Sequence, residues 1–572
     1  MPEYVWRVAE PLSEGAAPEL KLWPQPLRQL LYNRGMRTAQ QVEEFLHPER
    51  AGMHDPFLLR GMDTAVERIL RALRENELIA VYGDFDVDGL TATALLLEVL
   101  GSPSIKGRVL PYLPHRIREG YGLNSEAVRS LAERGVKLLI TVDCGVGADE
   151  ETLLASSLGV DVIVTDHHRI STSLPPAVSV VNPRREGCPY PFRELAGVGV
   201  AYKLAEALYA RVWNLQEARA RLEPELDLVA LGTVGDLSPL LGENRLMVKL
   251  GLQQINRGGR LGLQALKSVA GYSDRTMDAD TISYVLAPRL NAAGRMGDAR
   301  LSLELLTCES APDAARLAAE LEAANRERQA ATAAALSAAR EELPMPGELP
   351  PAIVLAGDYP AGVVGLVASR LAEEFRRPAF VIELGQEECR GSGRGVHGFD
   401  VVQALSDASD LLVRFGGHSQ AAGFAFVPDH LDALRTRLEV AAEQSMAAAA
   451  EPELYLEGRL RARDLGPALY DMLSLLEPCG TGNSRPLFYS RRMQVRDARI
   501  VGSGHLRLWL GDETGAVSAI GFGMGTDEYA FARSGALVDC AYTVGRNERG
   551  GTIGFEMVLR DLRPSGLVCI LQ

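Results

Sequence analysis

The feature that most constrains this chain is an acidic repeat, Asp84-Phe85-Asp86-Val87-Asp88-Gly89, standing directly after the apolar run Leu78–Tyr82. Three carboxylates at alternate positions, where a buried strand leaves its sheet, repel one another unless positive charge lies between them. An Asp-rich turn would account for this segment alone. Two further stretches argue for more than a turn. Val136–Val142 is an apolar strand candidate that ends in Asp143, and Val160–Thr165 is another that ends in Asp166-His167-His168. Packing gives no reason for three strands of one α/β unit each to finish in candidate metal ligands.

The surrounding pattern supplies the architecture. Leu78–Tyr82, Arg108–Tyr112, Val136–Val142, Val160–Thr165 and Val178–Val181 read as strands, with helices over Thr91–Leu100, Ser125–Arg134 and Asp149–Ser157 between them. Such alternation predicts a doubly wound, mostly parallel sheet whose ligands gather beyond the carboxyl ends of its strands. Before it, residues 1–65 read as a helical N-terminal segment containing Pro26–Tyr32 and Thr38–Phe45, followed by a helix over Leu59–Glu77. The first α/β domain is expected over 66–305, and Glu225–Leu231 opens a buried helix leading to Asp236. Pro312–Arg340 predicts a long connecting helix within 306–345, stopped by Pro344, Pro346, Pro350 and Pro351. A second α/β domain is expected over 346–450. It has strands at Ala352–Leu355 and Ala379–Leu384 and helices over Gly362–Phe375, Val401–Ala408 and His430–Ala450. Gly391–Gly395 there reads as a turn and Gly416–His418 as a loop. Six short strand candidates within 451–572 predict a small β-barrel of the OB type.

Composition narrows the class. At 572 residues the chain is too long for one hydrophobic core. With 47% apolar and 24% charged residues it reads as a soluble globular protein. It contains no run of roughly 20 apolar residues, and Met1-Pro2-Glu3-Tyr4 opens no signal segment, so no membrane partner and a cytoplasmic location are expected. The seven cysteines are scattered singly, which argues against a zinc–thiolate site and fits a reducing compartment. A net charge of -15 argues only weakly against nucleic acid, because part of the surplus is candidate metal-binding carboxylate. Six of the 60 basic residues are Lys; a GC-rich genome explains that bias without function, although Arg also suits bidentate phosphate contacts.

Asp84, Asp86, Asp88, Asp143, His167, His168 and Asp236 form an O/N ligand set without sulfur, suited to Mn²⁺ or Mg²⁺. The set is large enough for two ions if Asp143 bridges them; some members would instead orient the others. Arg116, Arg118 and Tyr121 follow another strand end and are expected over the same face, and Asn291 and Arg295 lie beside a flexible turn. Arg370, Ser392, Arg394 and His418 form a Gly-flanked anion site in the second domain. Tyr82, Phe85 and Tyr121 are candidate stacking platforms, Tyr82 equally a core residue.

Asp86-Val87-Asp88-Gly89, Asp143-Cys144-Gly145 and Asp166-His167-His168 resemble the signature motifs of the DHH phosphoesterase superfamily, and Phe415–Gly423 resembles its partner domain, DHHA1. Tyr82–Thr93, Leu226–Leu240, Pro288–Asp298, Gly362–Leu371, Gly391–Gly395 and Glu477–Pro486 are similar to the superfamily's bacterial single-strand-specific exonucleases. The resemblance implies a DHH lobe bearing two Mn²⁺ or Mg²⁺ ions, a DHHA1 lobe across a groove, and an OB-fold nucleic-acid-binding domain. It implies 5′-to-3′ hydrolysis of single-stranded DNA to 5′-mononucleotides in recombination and repair. A RecQ-type helicase and a single-stranded-DNA-binding protein are the implied partners, and the chain is expected to be a monomer. Asp143, His168 and His418 would be catalytic, and Arg295, Arg370, Ser392, Arg394 and His418 would hold the strand and its scissile phosphate. Tyr82 stands where some members have a metal-binding His, so Asp84 is the implied substitute; Gly395 stands where many have a second Ser. Two alternatives stay open: an oligonucleotide or cyclic-dinucleotide phosphodiesterase of the same superfamily, and a non-catalytic DNA-binding replication scaffold.

Overall fold

In the computed structural model of the chain, Leu78–Tyr82, Arg108–Tyr112, Val136–Val142, Asp161–Thr165 and Ser179–Val181 form one wholly parallel sheet. The order places Arg108–Tyr112 at one edge, then Leu78–Tyr82, Val136–Val142, Asp161–Thr165 and Ser179–Val181. The chain therefore reverses its direction of winding between Leu78–Tyr82 and Val136–Val142. A crevice opens at such a switch point beyond the strands' carboxyl ends. Asp84 and Asp143 follow these two strands. All residues are described except 1–3, 14, 117, 171–172, 346–347, 447–452, 503, 527–528, 550–551, 567–569 and 572. Pro346 and the alanine run Ala447–Ala450 lie outside the described residues.

The chain divides into two units, residues 54–450 and residues 1–53 with 451–572. In the first unit the helix Ala311–Glu342 packs against Ala287–Met296 on one side and Val364–Phe375 on the other, so it joins the two α/β lobes. Ser310 caps it, and Ala314, Leu317, Ala318 and Leu321 form its buried face. The second lobe's sheet runs Arg414–His418, Ala421–Phe426, Cys389–Arg394, Ala379–Glu383, Ile353–Gly357.

Two expectations are corrected here. Gly391–Gly395 is not a turn, and Gly416–His418 is not a loop; both segments lie in strands of this sheet, except Gly395, which follows one. In Cys389–Arg394 glycine stands where aromatic rings take the place of a side chain. A Cβ on Gly391 would meet the Phe424 ring at 2.3 Å, and one on Gly393 the Phe380 ring at 2.7 Å. Composition alone reads such a stretch as a turn.

In the second unit, Phe488–Val501, His505–Asp512, Gly515–Gly521, Thr552–Pro564 and Leu537–Arg549 pair in that order, and the last pairs back with the first to close a five-stranded barrel. Of these five, only Gly515–Gly521 and Thr552–Pro564 pair in parallel, as an OB-fold requires. The helix Pro467–Ser474 was not anticipated from the sequence. Nor is the N-terminal segment wholly helical: Val5–Val8 is a strand, paired in parallel with Glu453–Leu456 and Ile570–Leu571. Leu27, Leu30 and Val42 share one core with Phe488, Val495 and Leu508. Trp6 is buried, and its Nε1–H donates to Asp561 Oδ2 at 2.7 Å.

The described cysteines are free thiols, and among the described residues no helix is long and apolar enough to cross a membrane. Trp6→Ala is expected to destabilise the barrel-containing unit by about 3–5 kcal/mol, read as an earlier unfolding transition by calorimetry. An unshifted transition would show that the strand Val5–Val8 is dispensable to that unit.

Candidate active site

The acidic repeat is a helix start rather than a turn. The helix spans Val87–Gly101, four residues earlier than the expected Thr91, because Asp86 caps it. Asp86 Oδ1 accepts the N–H of Asp88 at 3.0 Å and of Gly89 at 3.2 Å, satisfying donors that the first turn leaves orphaned. Asp88, inside that turn, accepts from the start of a second helix, Gly197–Val212: Gly197 N–H at 2.7 Å and Val198 N–H at 2.8 Å. Helix N-termini carry partial positive charge, so two of them aim at the cluster.

Asp143 adopts φ +59°, a left-handed conformation costly for a residue with a Cβ and common where function demands a particular side-chain direction. A Cβ on Gly197 would lie 2.6 Å from Asp143 Cβ, and one on Gly232 would lie 2.7 Å from Asp88 Oδ1. These glycines, absent from the expected site, let two helices close onto the carboxylates. Asp236 ends the helix Leu226–Gly235 and accepts from Ser238 Oγ at 2.6 Å. Asp166 also acts through its neighbours: Oδ1 accepts His167 N–H at 2.7 Å and lies 2.7 Å from His168 Nδ1. Its place directly before the two histidines was the signal for it. Asn182, fully buried, donates to the His168 carbonyl at 2.9 Å; no sequence pattern announced it.

All seven expected ligands come together. One donor atom from each of Asp84, Asp86 and Asp143 lies within 4.8 Å of the others; so do those of Asp88, His167 and Asp236, and those of Asp143, His167 and His168. Asp143 therefore belongs to two groups, as a bridging carboxylate must. Asp84, Asp88 and Asp143 are 3%, 0% and 2% exposed, so water screens little of their repulsion. Burial, and after it the neighbouring carboxylates, push Asp84, Asp86, Asp88 and Asp143 above the ordinary carboxylate range. Burial holds His167 below its usual value, so its imidazole is neutral at pH 7, the form in which a metal could be bound. Burial also opposes charge on His168, but the Asp166 hydrogen bond and charge outweigh it and raise the imidazole to about 9. Asp84 Oδ1 and His167 Nδ1 are buried without any hydrogen-bond partner, while Asp143 Oδ1 and His167 Nε2 lie 3.1 Å apart without hydrogen-bond geometry. Orphaned buried acceptors are costly, and this hard, sulfur-free donor set fits divalent cations such as Mn²⁺ or Mg²⁺.

The second lobe covers the cluster. The His418 ring stacks on His168, with centroids 5.7 Å apart and planes 8° from parallel. Tyr121, more than half exposed, places its hydroxyl 3.3 Å from the Asp143 carbonyl and from His168. Arg116 lies 4.7 Å above the Phe85 ring, so Phe85 is covered by a guanidinium rather than free to stack. Tyr82 is a core residue whose hydroxyl donates to Gly122 O at 2.7 Å, and Asp84 is the nearby group that joins the donor set. Arg118 is exposed, and its side chain forms no hydrogen bond or ion pair among the described residues.

Arg394 donates to Ser369 Oγ at 3.0 Å, Ser392 Oγ at 2.7 Å and Gly393 O at 2.8 Å. Arg295 donates to Gly362 O at 3.4 Å; burial, then the charges of Arg116, Arg328 and Arg394, lower it to about 9. Asn291 Oδ1 is buried and unpartnered, while Arg370 is exposed beside Glu373. A second Ser would not fit at Gly395, where a Cβ would lie 2.8 Å from Phe399 O.

Comparison with known proteins agrees with this geometry. Family models match residues 78–233 (DHH family, N-terminal domain), 350–444 (DHHA1 domain) and 456–561 (RecJ OB domain). The single-stranded-DNA-specific exonuclease RecJ of Dickeya dadantii is 35% identical over 572 residues, covering 95% of this chain and 96% of that protein. The chain belongs to the RecJ family. RecJ of Bacillus subtilis is 38% identical over 502 residues, 87% of this chain but 62% of that longer protein. The crystal structure of RecJ in complex with Mn²⁺ from Thermus thermophilus matches with a TM-score of 0.83 at 32% identity, over 98% of this chain and 80% of that one.

Two outcomes follow from the cluster. In chelator, His168 is protonated more readily folded than unfolded, since about 9 exceeds the ordinary value of 6.5. The stability it contributes is complete below pH 6.5 and lost as pH rises to 9. The raised carboxylates act in the same direction, and His167 changes charge only below that window. The melting temperature without cations should fall from pH 6.5 to 9, while the increment from saturating Mn²⁺ grows, since cations displace protons. A flat increment would contradict the cluster's electrostatics. Gly197→Ala should weaken Mn²⁺ binding by about 10–100-fold, measured calorimetrically; undiminished affinity would show that the Gly197 approach does not shape the site.

Proposed function

We propose that this chain is a metal-dependent exonuclease that degrades single-stranded DNA from its 5′ end to 5′-mononucleotides. The observation that carries the reading is the cluster of seven donors facing His418 across its stack on His168. Family membership and the Mn²⁺-bound relative support it. Asp84, Asp86 and Asp143 would hold one cation and Asp88, His167 and Asp236 the second, with Asp143 placed to serve both and His168 beside them. Two such ions, when bound, lower the pKa of a water and offset charge on the phosphoryl oxygens and the departing 3′ oxygen.

The chain's own residues do the remaining work. Asp166 orients His168 and keeps its ring positive in the absence of metal. His168 and His418 flank the reacting phosphate and stabilise the charge developing on it. Arg295, Ser392 and Arg394 receive the 5′ end, with Arg116, Tyr121 and Asn291 lining the approach and Arg370 at its outer edge. Arg394 is held for this by three hydrogen bonds, and Arg295 and Arg394 meet no carboxylate among the described residues, so each fork is available to phosphate. The barrel, matched as a RecJ OB domain, binds the incoming strand by phosphate contacts and stacking. The protein acts as a cytoplasmic monomer in recombination and repair, supplied by a RecQ-type helicase and a single-stranded-DNA-binding protein.

A phosphodiesterase for oligonucleotides or cyclic dinucleotides would have no evident use for that barrel, and a non-catalytic scaffold has no need of a complete donor set. Asp143→Ala should abolish Mn²⁺-dependent release of nucleotides, and His418→Ala should lower kcat by about 10²–10³-fold. Strands labelled at the 5′ or 3′ terminus test polarity: immediate release of labelled mononucleotide from the 5′-labelled strand alone is expected, and the reverse pattern would overturn the reading.

A further inference from the structure

The helix Ala311–Glu342 carries four arginines, and three of them pair with carboxylates: Arg316 with Glu320 at 2.7 Å, Arg326 with Glu322 at 3.0 Å and Arg340 with Glu374 at 2.7 Å. Arg328 does not. Its guanidinium bonds a neutral partner, Asn325 Oδ1, through Nη2 at 2.9 Å and Nε at 3.3 Å. Asn325 is 1% exposed, so the residue gripping the fork is itself fixed in the packing between helices. Burial, and after it Arg289 and Arg370, act against the charge on Arg328, although Arg289 is paired with Glu322 at 2.7 Å and Arg370 with Glu373 at 3.5 Å. A half-buried arginine whose guanidinium meets no carboxylate among the described residues is unfavourable for folding alone. The same fork held by a neutral side chain is suited to a bidentate phosphate contact.

We infer that Arg328, held by Asn325, is a phosphate-binding residue of the connecting helix that grips the strand's backbone. This rests on the reading of the site as one that takes single-stranded DNA. It assigns the long helix a share in binding: the helix that joins the two lobes also reads the spacing of the phosphates between them. The contact is sequence-independent, as an exonuclease requires.

The test uses the full chain in chelator with a 5′-phosphorylated, fluorescently labelled single strand, followed by anisotropy across a salt series. Arg328→Gln should weaken binding roughly tenfold and reduce the slope of log K against log salt by about 0.7, the value for one single-strand phosphate. Neutral methylphosphonate placed at one linkage at a time should weaken wild-type binding at several positions, and at one internal position the loss should vanish in Arg328→Gln. Arg328→Lys keeps the charge but not the fork; it should retain the slope and make a further Asn325→Ala change without effect on binding. Melting curves check that each variant is folded, and the Lys variant carries the test if the Gln variant is not. An unchanged slope and an unchanged methylphosphonate profile in Arg328→Gln overturn the inference. A wild-type protein that neither binds nor degrades the strand overturns the proposed function instead, which keeps the two failures apart.

Discussion

Repulsion among buried carboxylates is the constraint on which the first lobe depends. Two carboxylates about 4 Å apart at an effective dielectric of about 20 repel by about 4 kcal/mol. A few such pairs rival the whole stability of a domain, about 5–15 kcal/mol. Asp84, Asp86, Asp88 and Asp143 are nevertheless gathered with almost no access to water. Backbone donors offset part of the cost: Asp86 caps its own helix and Asp88 caps the start of another. The remainder needs cations or protons. That is why the site binds divalent metal in preference to remaining a void, and why glycine occurs at 197 and 232, where any side chain would push the helices away from the acids.

The second lobe is the electrostatic complement. Its contribution is guanidinium and imidazole: Arg394 braced by two serines and a carbonyl, His418 stacked on His168, and Arg295 brought beside Gly362. A polyanionic strand with its metal ions is what neutralises both sides together. An overall charge of -15 concealed this arrangement, because acids elsewhere on the chain outnumber the arginines that line the site. The helix Ala311–Glu342 holds the two chemistries at a set spacing by packing on a helix of each lobe.

How far the residues themselves announced this varies with their physics. The parallel strands were legible because buried strands are largely apolar runs, and all five end at the residue expected. The long helix was legible from its alanine-rich composition and its lack of breakers. The start of Val87–Gly101 was not, since capping by Asp86 disguises a helix as an acidic turn. Gly391–Gly395 misread as a turn because the rings that cover its glycines come from Phe380 and Phe424, on other strands, and Gly416–His418 misread as a loop because its strand pairing lies with Ala421–Phe426. Arg118 and Arg116 look alike in sequence; only Arg116 finds a ring to lie on.

By themselves the residues determined the chemistry: oxygen and nitrogen donors, no thiolate set, strand ends to carry them and Gly-flanked arginines to meet an anion. That much is local, since ligand hardness and strand periodicity belong to each segment alone. Tertiary structure decided which donors lie together, that Asp143 joins two groups, that Asp166 and Asn182 bond to His168, and that Arg328 meets a neutral amide instead of an acid. These depend on distances between segments up to a hundred or more residues apart, and such distances exist only once the helices have closed over their glycines.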